Sequence, residues 1–164
     1  MFGLPGVIKG LKDILDYLRG GRLYDTGWYE IPGIAAADAL DANDAIGTMF
    51  KIKVPGAGRI MSMKLVDPDD DTLALTMHIY TSAVVGAASD AAYTVNKAFA
   101  TAWLSNVTFG AGTDEGGFKA SEVLDADIDY VTYDGYLYVV CSTTGTPTVA
   151  AASFPQTRWY VLPY

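Results

Sequence analysis

The sequence predicts an all-β protein, an antiparallel β-sandwich or jelly-roll with an amphipathic N-terminal helix and one short internal helix. Composition is the first reason, since 17 glycines and 11 tyrosines among 164 residues are typical of a turn-rich β protein. The second reason is that apolar and polar residues alternate in many short runs, which is the period of a strand covered on one face. The length suits one two-layer domain.

The clearest strand follows an acidic turn at residues 67–71 and extends to Tyr80. Four of its residues should face the core: Leu73, Leu75, Met77 and Ile79. The residues between them, including His78, should lie on the other, uncovered face. Similar runs on both sides bring the predicted total to eight or nine short strands, the number and spacing of a two-sheet antiparallel fold.

Local patterns add predictions along the chain. In the run 47–54, one face should carry Phe50, Ile52 and Val54, and in the run 59–66, Met61, Met63 and Leu65 should point inward. Asp134-Gly135 lies between two apolar runs and predicts a β-hairpin. After a short strand at residues 92–95, Asn96 is expected to cap a helix of one to two turns. Three residues should share one side of that helix: Phe99, Ala102 and Trp103.

Residues 4–18 have their large apolar side chains at helical spacing, and Gly20-Gly21 ends the predicted helix. The apolar stripe consists of Leu4, Val7, Ile8, Leu11, Ile14, Leu15 and Leu18. Because an isolated helix of about 14 residues is marginal in water, the stripe must dock on its own sheet, on sister helices, on a larger assembly or on lipid. We expect the stripe to contact a partner or another copy, because the glycines suggest a hinge. The chain is accordingly divided into an arm, residues 1–24, and a body, residues 25–164.

The formal net charge is −8, but the arm carries +2 and the body −10. So acidic a body repels a phosphate backbone, and nucleic acid is therefore not an expected partner. The single cysteine, Cys141, permits no intrachain disulfide and no cysteine-based zinc site, which is compatible with a reducing cytoplasm. No secretory signal or membrane span is predicted, and a membrane contact is disfavoured because the polar side of the helix mixes Asp with Lys.

Few residues could support catalysis. His78 is the only histidine and has no nucleophile-elbow motif to serve, so we interpret it as a hydrogen-bonded or surface residue. The glycine-rich loop 110–117 contains no lysine, so it does not predict a phosphate cradle. The three glutamates are too scattered to form a glycosidase pair. The sequence therefore predicts no catalytic residue, no cofactor and no enzyme.

Two acidic clusters are interpreted as metal-free, and a bound cation is the alternative for each. The turn at residues 67–71 lacks EF-hand spacing, and Asp is common in turns. Asp125, Asp127 and Asp129 alternate along one strand face, where their charge would protect an exposed edge. Cys141 is interpreted as a core residue. Several tyrosines could line a sugar or protein contact surface or simply reflect strand propensity: Tyr130, Tyr133, Tyr136, Tyr138, Tyr160 and Tyr164.

Short segments of the body follow one another in an informative order. The first is Gly58-Arg-Ile-Met-Ser-Met-Lys-Leu-Val-Asp67, which runs into the acidic turn, and the next is Asp90-Ala-Ala-Tyr-Thr-Val95, before an alanine-rich helical turn. The last are Leu137-Tyr-Val-Val140, Gly145-Thr-Pro-Thr-Val-Ala150 and the final Val161-Leu162. In this order, residues 25–164 resemble a class of small tailed-phage virion proteins with a jelly-roll body. The arm departs from the typical members of that class.

The resemblance implies a virion structural protein that decorates or cements the capsid at subunit junctions, as a homotrimer bound to the major capsid protein. It implies no catalytic residue. The expected location is the capsid exterior, after synthesis in the host cytoplasm. The alternative is a head or tail fibre, or receptor-binding, module whose aromatic residues contact glycans.

Overall fold

A computed structural model describes residues 23–34, 40–69, 73–86, 88–94, 97–147 and 154–164. Within these ranges the chain forms nine strands and one 3-10 turn, Lys97–Phe99. The strands are β1 (Tyr24–Glu30), β2 (Ala45–Lys53), β3 (Ala57–Asp67), β4 (Leu75–Tyr80), β5 (Trp103–Phe109), β6 (Thr113–Asp114), β7 (Lys119–Val131), β8 (Tyr136–Thr143) and β9 (Gln156–Pro163). The all-β prediction is confirmed. The predicted N-terminal helix lies outside the described residues.

The strands form two antiparallel sheets. The five-stranded sheet has the order β1-β9-β3-β7-β6, and the four-stranded sheet has the order β2-β8-β4-β5. Most connections cross from one sheet to the other, and only β4 to β5 and β6 to β7 stay within a sheet. The predicted two-sheet sandwich is therefore confirmed. Among the described residues, no helix is long and apolar enough to cross a membrane.

The apolar core lies between the two sheets, and Trp159 of β9 is a large side chain that it buries completely. Seven residues predicted to face inward are buried there: Phe50, Ile52, Val54, Leu73, Leu75, Met77 and Ile79. The indole Nε1–H of Trp159 donates to Thr157 Oγ1 at 2.9 Å, and the Thr157 hydroxyl donates to the Lys64 carbonyl at 2.9 Å. The buried polar groups of β9 are thus paired, as a stable core requires.

One inward position on β3 was predicted wrongly. Ile60 and Met63 are fully buried, whereas Met61 is only partly buried. The pairing with β9 explains the difference. From Ile60 to Ser62 the register advances by two residues on β3 but by only one residue on β9, so β3 contains a bulge. A bulge of this kind reverses which side chains face the core, so a count of alternating residues fails where it occurs.

The turn at Asp134-Gly135 does not form the predicted hairpin. It joins β7 of the five-stranded sheet to β8 of the four-stranded sheet. Gly135 has a φ of 77°, and its carbonyl accepts a hydrogen bond from the Val54 amide at 2.9 Å. The Thr132 amide likewise donates to the Gly56 carbonyl at 2.8 Å. The turn therefore pairs with the neighbouring β2–β3 corner, because an Asp-Gly pair reverses the chain without selecting the partner strand.

The outer face of the four-stranded sheet is largely covered by the connection between β4 and β5. Val84 of this connection packs on Tyr80 and Val140 in a second apolar cluster. Other side chains around it are Met49, Tyr93, Phe99, Ala102 and Tyr138. His78 and Tyr80, which were expected on an uncovered face, are consequently buried.

The same connection differs from its predicted secondary structure. Where a strand at residues 92–95 was expected, the described residues form a single bridge between Asp44 and Ala92. The expected helix is only the 3-10 turn, and Trp103 belongs to β5 instead of sharing a side with Phe99. Backbone hydrogen bonds to Asn43 and Ala45, at the start of β2, hold the connection instead, including one from the Tyr93 amide to the Asn43 carbonyl at 2.8 Å.

Candidate functional site

Partly exposed side chains cross the outer face of the five-stranded sheet. Trp28 of β1 pairs with Arg158 of β9, Arg158 pairs with Lys64 of β3, and Lys64 pairs with Glu122 of β7. Directly paired residues of an antiparallel sheet point to the same side, so these four form one row. The next row is Asp25, Tyr160, Ser62 and Leu124. We call these eight residues the outer sheet face.

Arg158 organises one end of the outer sheet face. Its Nε donates to Asp25 Oδ1 at 2.8 Å, and its Nη2 pairs with Asp25 Oδ2. This hydrogen bonding, together with the bond from the Gly27 amide, lowers the pKa of Asp25 to about 2. The guanidinium carbon lies 5.7 Å from the Trp28 ring centre and 5.3 Å from that of Tyr160. Both rings are therefore held by one cation that is itself fixed at two points.

A cleft of about 440 Å³ lies at the other end of the row. Lys64 Nζ and Glu122 Oε1, 3.4 Å apart, lie on neighbouring strands that line it. The loop between β5 and β7 forms another wall, through residues 110–113 and Glu115. Gly112 lets this wall approach closely, because a Cβ there would lie 2.6 Å from the Ala120 carbonyl oxygen. The cleft can thus offer both hydrogen-bond donors and acceptors.

A second charged cluster joins β3 to β7. Arg59 Nη1 lies 2.8 Å from Asp127 Oδ1, and its Nε lies 2.7 Å from Asp129 Oδ1. Tyr164 completes the cluster by bonding both Arg59 and Asp129. The hydrogen bond to Asp129 is the main cause that raises the pKa of Arg59. The guanidinium thus offsets the acidic charge along this strand.

Asp125, Asp127 and Asp129 are exposed and alternate with less exposed residues along β7, as predicted, but the backbone of the strand is irregular there. Asp125 and Asp127 have φ angles of 54° and 51°, in a region that side-chain-bearing residues rarely adopt. β6 pairs with β7 only through residues 119 and 120. Among the described strands, therefore, residues 121–131 of β7 lie along a sheet edge, where acidic residues disfavour pairing with another chain.

His78 lies in a hydrogen-bonded network beneath the covering connection. Its Nδ1 is 2.8 Å from Asn106 Oδ1, and its Nε2 is 2.9 Å from the Ser142 hydroxyl. Asn106 Oδ1 also accepts the Trp103 indole N–H at 3.0 Å, so His78 Nδ1 donates to Asn106 and Nε2 accepts from Ser142. The Tyr93 ring lies over the imidazole, with ring centres 4.5 Å apart. The prediction of a hydrogen-bonded histidine is confirmed.

Burial of the imidazole favours its neutral form. Burial lowers the pKa of His78 and outweighs the hydrogen bond to Asn106, which raises it. A serine, a neutral histidine and an asparagine in hydrogen-bond contact form the sequence of groups that activates a nucleophile in some enzymes. Here His78 is 7% exposed and Ser142 is 5% exposed. In this arrangement the network joins β4, β5 and β8 and is closed to a substrate.

Other residues singled out from the sequence have structural roles. Asp67 is buried, and its carboxylate accepts weak hydrogen bonds from the Asp69 and Leu73 amides at 3.4 Å. Cys141 is in the core, as predicted, and burial raises the pKa of its thiol. Among the described residues, no three His, Cys, Asp or Glu side chains are placed to hold a metal ion.

The sequence predicted individual residues of the outer sheet face but did not predict that they lie together. Tyr160 was named as a possible contact residue, but Trp28, Arg158 and Lys64 were not. The alternation of β9, in which Arg158 and Tyr160 oppose the buried Trp159, could have placed Arg158 on this face. Trp28 and Lys64 belong to other strands, and no local signal joins them to it. The apolar stripe proposed for partner contact, from Leu4 to Leu18, lies outside the described residues.

Comparisons with known proteins assign no family. No family model matches the chain, and no curated protein matches it. Among solved structures, the chain is similar to "Latent aurone synthase (polyphenol oxidase) from natural source", with 10% identity and a TM-score of 0.37. The match covers 81% of this chain and 30% of that chain. The prediction that the chain is not an enzyme is corrected to no assignment, because a match with so low a TM-score shows neither an activity nor its absence.

Proposed function

We propose that this chain is a jelly-roll structural protein of a tailed-phage virion and binds the outside of the capsid at subunit junctions. The observation that supports it most is the strand order. Without the two-residue β6, the sheets have the orders β1-β9-β3-β7 and β2-β8-β4-β5, with most connections crossing between them. Two Greek keys folded together have this order, and viral capsid proteins are among those that use the jelly-roll. The resemblance of residues 25–164 to phage virion proteins supports the same function.

The arm, residues 1–24, is the proposed anchor. Its last residue, Tyr24, is the first residue of β1, which is an edge strand of the five-stranded sheet. The arm carries +2 and the body −10, so the two parts suit different surroundings. Seven apolar side chains of the arm would contact the major capsid protein or sister arms: Leu4, Val7, Ile8, Leu11, Ile14, Leu15 and Leu18. In a homotrimer three arms would act together, and avidity would strengthen modest individual contacts.

Capsids purified from the source phage after deletion of this chain would test the proposal. The full-length protein should saturate them at a fixed number of copies per junction, and electron microscopy should locate it on the exterior. A truncated protein that starts at Leu23, which keeps β1 complete, should not saturate them. If the full-length protein does not bind, the capsid function is wrong; if the truncated protein binds equally well, only the anchor is wrong.

A matched pair of variants separates the two sides of the predicted helix. The double substitution Leu11→Ser and Leu15→Ser changes the apolar stripe, whereas Lys9→Ser and Lys12→Ser changes the opposite side. Only the first pair should reduce capsid binding strongly, because area burial is the proposed driving force. Equal losses in both pairs would contradict a stripe-specific contact.

A second candidate is a fibre or receptor-binding module that contacts glycans. The half-exposed Trp28, held beside Tyr160, favours it, because aromatic faces suit such contacts. The number of copies per particle separates the two: hundreds indicate a decoration protein, and a few indicate a fibre.

A further inference from the structure

Four residues of the outer sheet face form a row that crosses four strands. Trp28, Arg158, Lys64 and Glu122 lie in register on β1, β9, β3 and β7. Neighbouring strands are about 4.8 Å apart, so the row spans about 14 Å from the first strand to the last. An aromatic ring lies at one end and the 440 Å³ cleft at the other. A ligand that uses both ends must therefore be elongated.

The aromatic end is held in place before any ligand arrives. Trp28 is 44% exposed, so part of its ring is open to solvent. Arg158 lies against the rings of Trp28 and Tyr160 and is fixed in turn by Asp25. A ring that is held in this way loses little conformational entropy on binding, which favours affinity.

The charges along this row of side chains favour an uncharged ligand. Arg158 is paired with Asp25, and Lys64 is paired with Glu122, so each cation of the row has an adjacent carboxylate. The charges within the row are therefore balanced, and the cleft adds the carboxylate of Glu115, so an anion would gain no attraction there. The same groups include both hydrogen-bond donors and acceptors, and Glu115 adds an acceptor to the cleft. A chain of hydroxyl-rich rings matches these features, because each ring has an apolar face and a polar rim.

We propose that the outer sheet face binds a neutral oligosaccharide, with one sugar ring stacked on Trp28 and another in the cleft beside Lys64 and Glu122. The intervening sugar would cross Arg158. This inference identifies a site and a ligand class, and it does not depend on attachment to a capsid. It also assigns a role to the close approach of Gly112 to β7, which positions the loop wall of the cleft.

The isolated full-length protein can be titrated with neutral trisaccharides of glucose, galactose, mannose and N-acetylglucosamine, by calorimetry and by tryptophan fluorescence. At least one should bind with a Kd below about 10 mM. Trp28→Ala and Glu122→Gln should each weaken that binding about tenfold or more, because one removes the stacking ring and the other a charged acceptor. Failure of all four sugars to bind would overturn the proposal.

Two controls keep the outcome specific. Trp103→Ala removes a tryptophan of similar exposure, 47%, from the other sheet, and Glu30→Gln changes a carboxylate outside the row. Both variants should bind as the unchanged protein does, and the thermal unfolding of every variant shows that it is folded. Equal weakening of sugar binding by Trp28→Ala and Trp103→Ala would overturn the site.

The protein truncated to start at Leu23 should still bind sugar, which separates this result from the capsid test. If Trp28→Ala instead abolishes capsid binding and no sugar binds, the face is a protein interface and the sugar proposal is wrong.

Discussion

The buried histidine predicts that stability depends on pH in a simple way. His78 is the only histidine of the chain, so no other histidine titrates in the range where it does. Burial lowers its folded pKa below the ordinary value of 6.5. The folded protein therefore binds fewer protons than the unfolded chain when the pH lies between the two pKa values. The contribution of His78 to stability is present above pH 6.5 and is lost as the pH falls toward the folded pKa.

The size of this pH effect on stability follows from the single proton that His78 binds in the unfolded chain. If the folded imidazole stays neutral, the free energy of unfolding falls by about 1.4 kcal/mol between pH 7.5 and pH 5.5. Asp25 does not contribute in this interval, because its pKa is lowered to about 2 and its stabilising effect is lost only as the pH falls below its ordinary value of 3.8. The partners of the ring give the charged form no opposite charge, since Asn106, Ser142 and Tyr93 are neutral side chains.

Urea unfolding at a series of pH values measures this dependence. The unchanged protein should lose stability between pH 7.5 and pH 5.5, by up to about 1.4 kcal/mol, and His78→Gln should lose almost none over the same interval. Asn106→Asp places a carboxylate at Nδ1, which should raise the pKa of His78 and remove or reverse the loss. An NMR titration of the ring in the folded protein gives the pKa directly. A folded pKa at or above 6.5, or equal pH dependence in the unchanged and His78→Gln proteins, would refute the reasoning.

Two further predictions concern the fold. Trp159→Ala removes the largest of the fully buried side chains and should lower the free energy of unfolding by about 3–5 kcal/mol. Trp103→Ala should lower it by about 1 kcal/mol or less, because Trp103 is half-exposed, and urea unfolding of both variants measures the difference. Gly47→Ala should cost at least about 2 kcal/mol, because φ is 66° and the new Cβ would lie 2.2 Å from the Pro32 carbonyl oxygen. Gly56→Ala, with no atom within 4 Å, should change stability by less than about 0.5 kcal/mol, and similar losses at both glycines would contradict the steric explanation.

Much of the body could be predicted because side-chain alternation is local. Leu75, Met77 and Ile79 are buried as their spacing indicates, and so are Phe50, Ile52 and Val54. Each of these assignments needs only the neighbouring residues of the same strand. The prediction for Met61 failed where the sequence contains no sign of the bulge in β3.

The candidate site could not be predicted in the same way. Trp28, Lys64, Glu122 and Arg158 are far apart in the chain and become neighbours only through the order and register of four strands. The same limit applies to His78, whose burial depends on a connection that folds back over β4 and β8. Register shifts at the bulges add to the difficulty, because each one changes which residues meet.

The sequence by itself determined that this chain forms strands with one apolar face, and that two such layers must cover each other. It also determined where many core residues lie, because period-two alternation is a property of each strand alone. Only the tertiary structure decided that Asp134-Gly135 crosses between sheets and that Trp28, Arg158, Lys64 and Glu122 form one row. The physical reason is that strand pairing depends on hydrogen bonds and packing between distant segments, which no local pattern specifies.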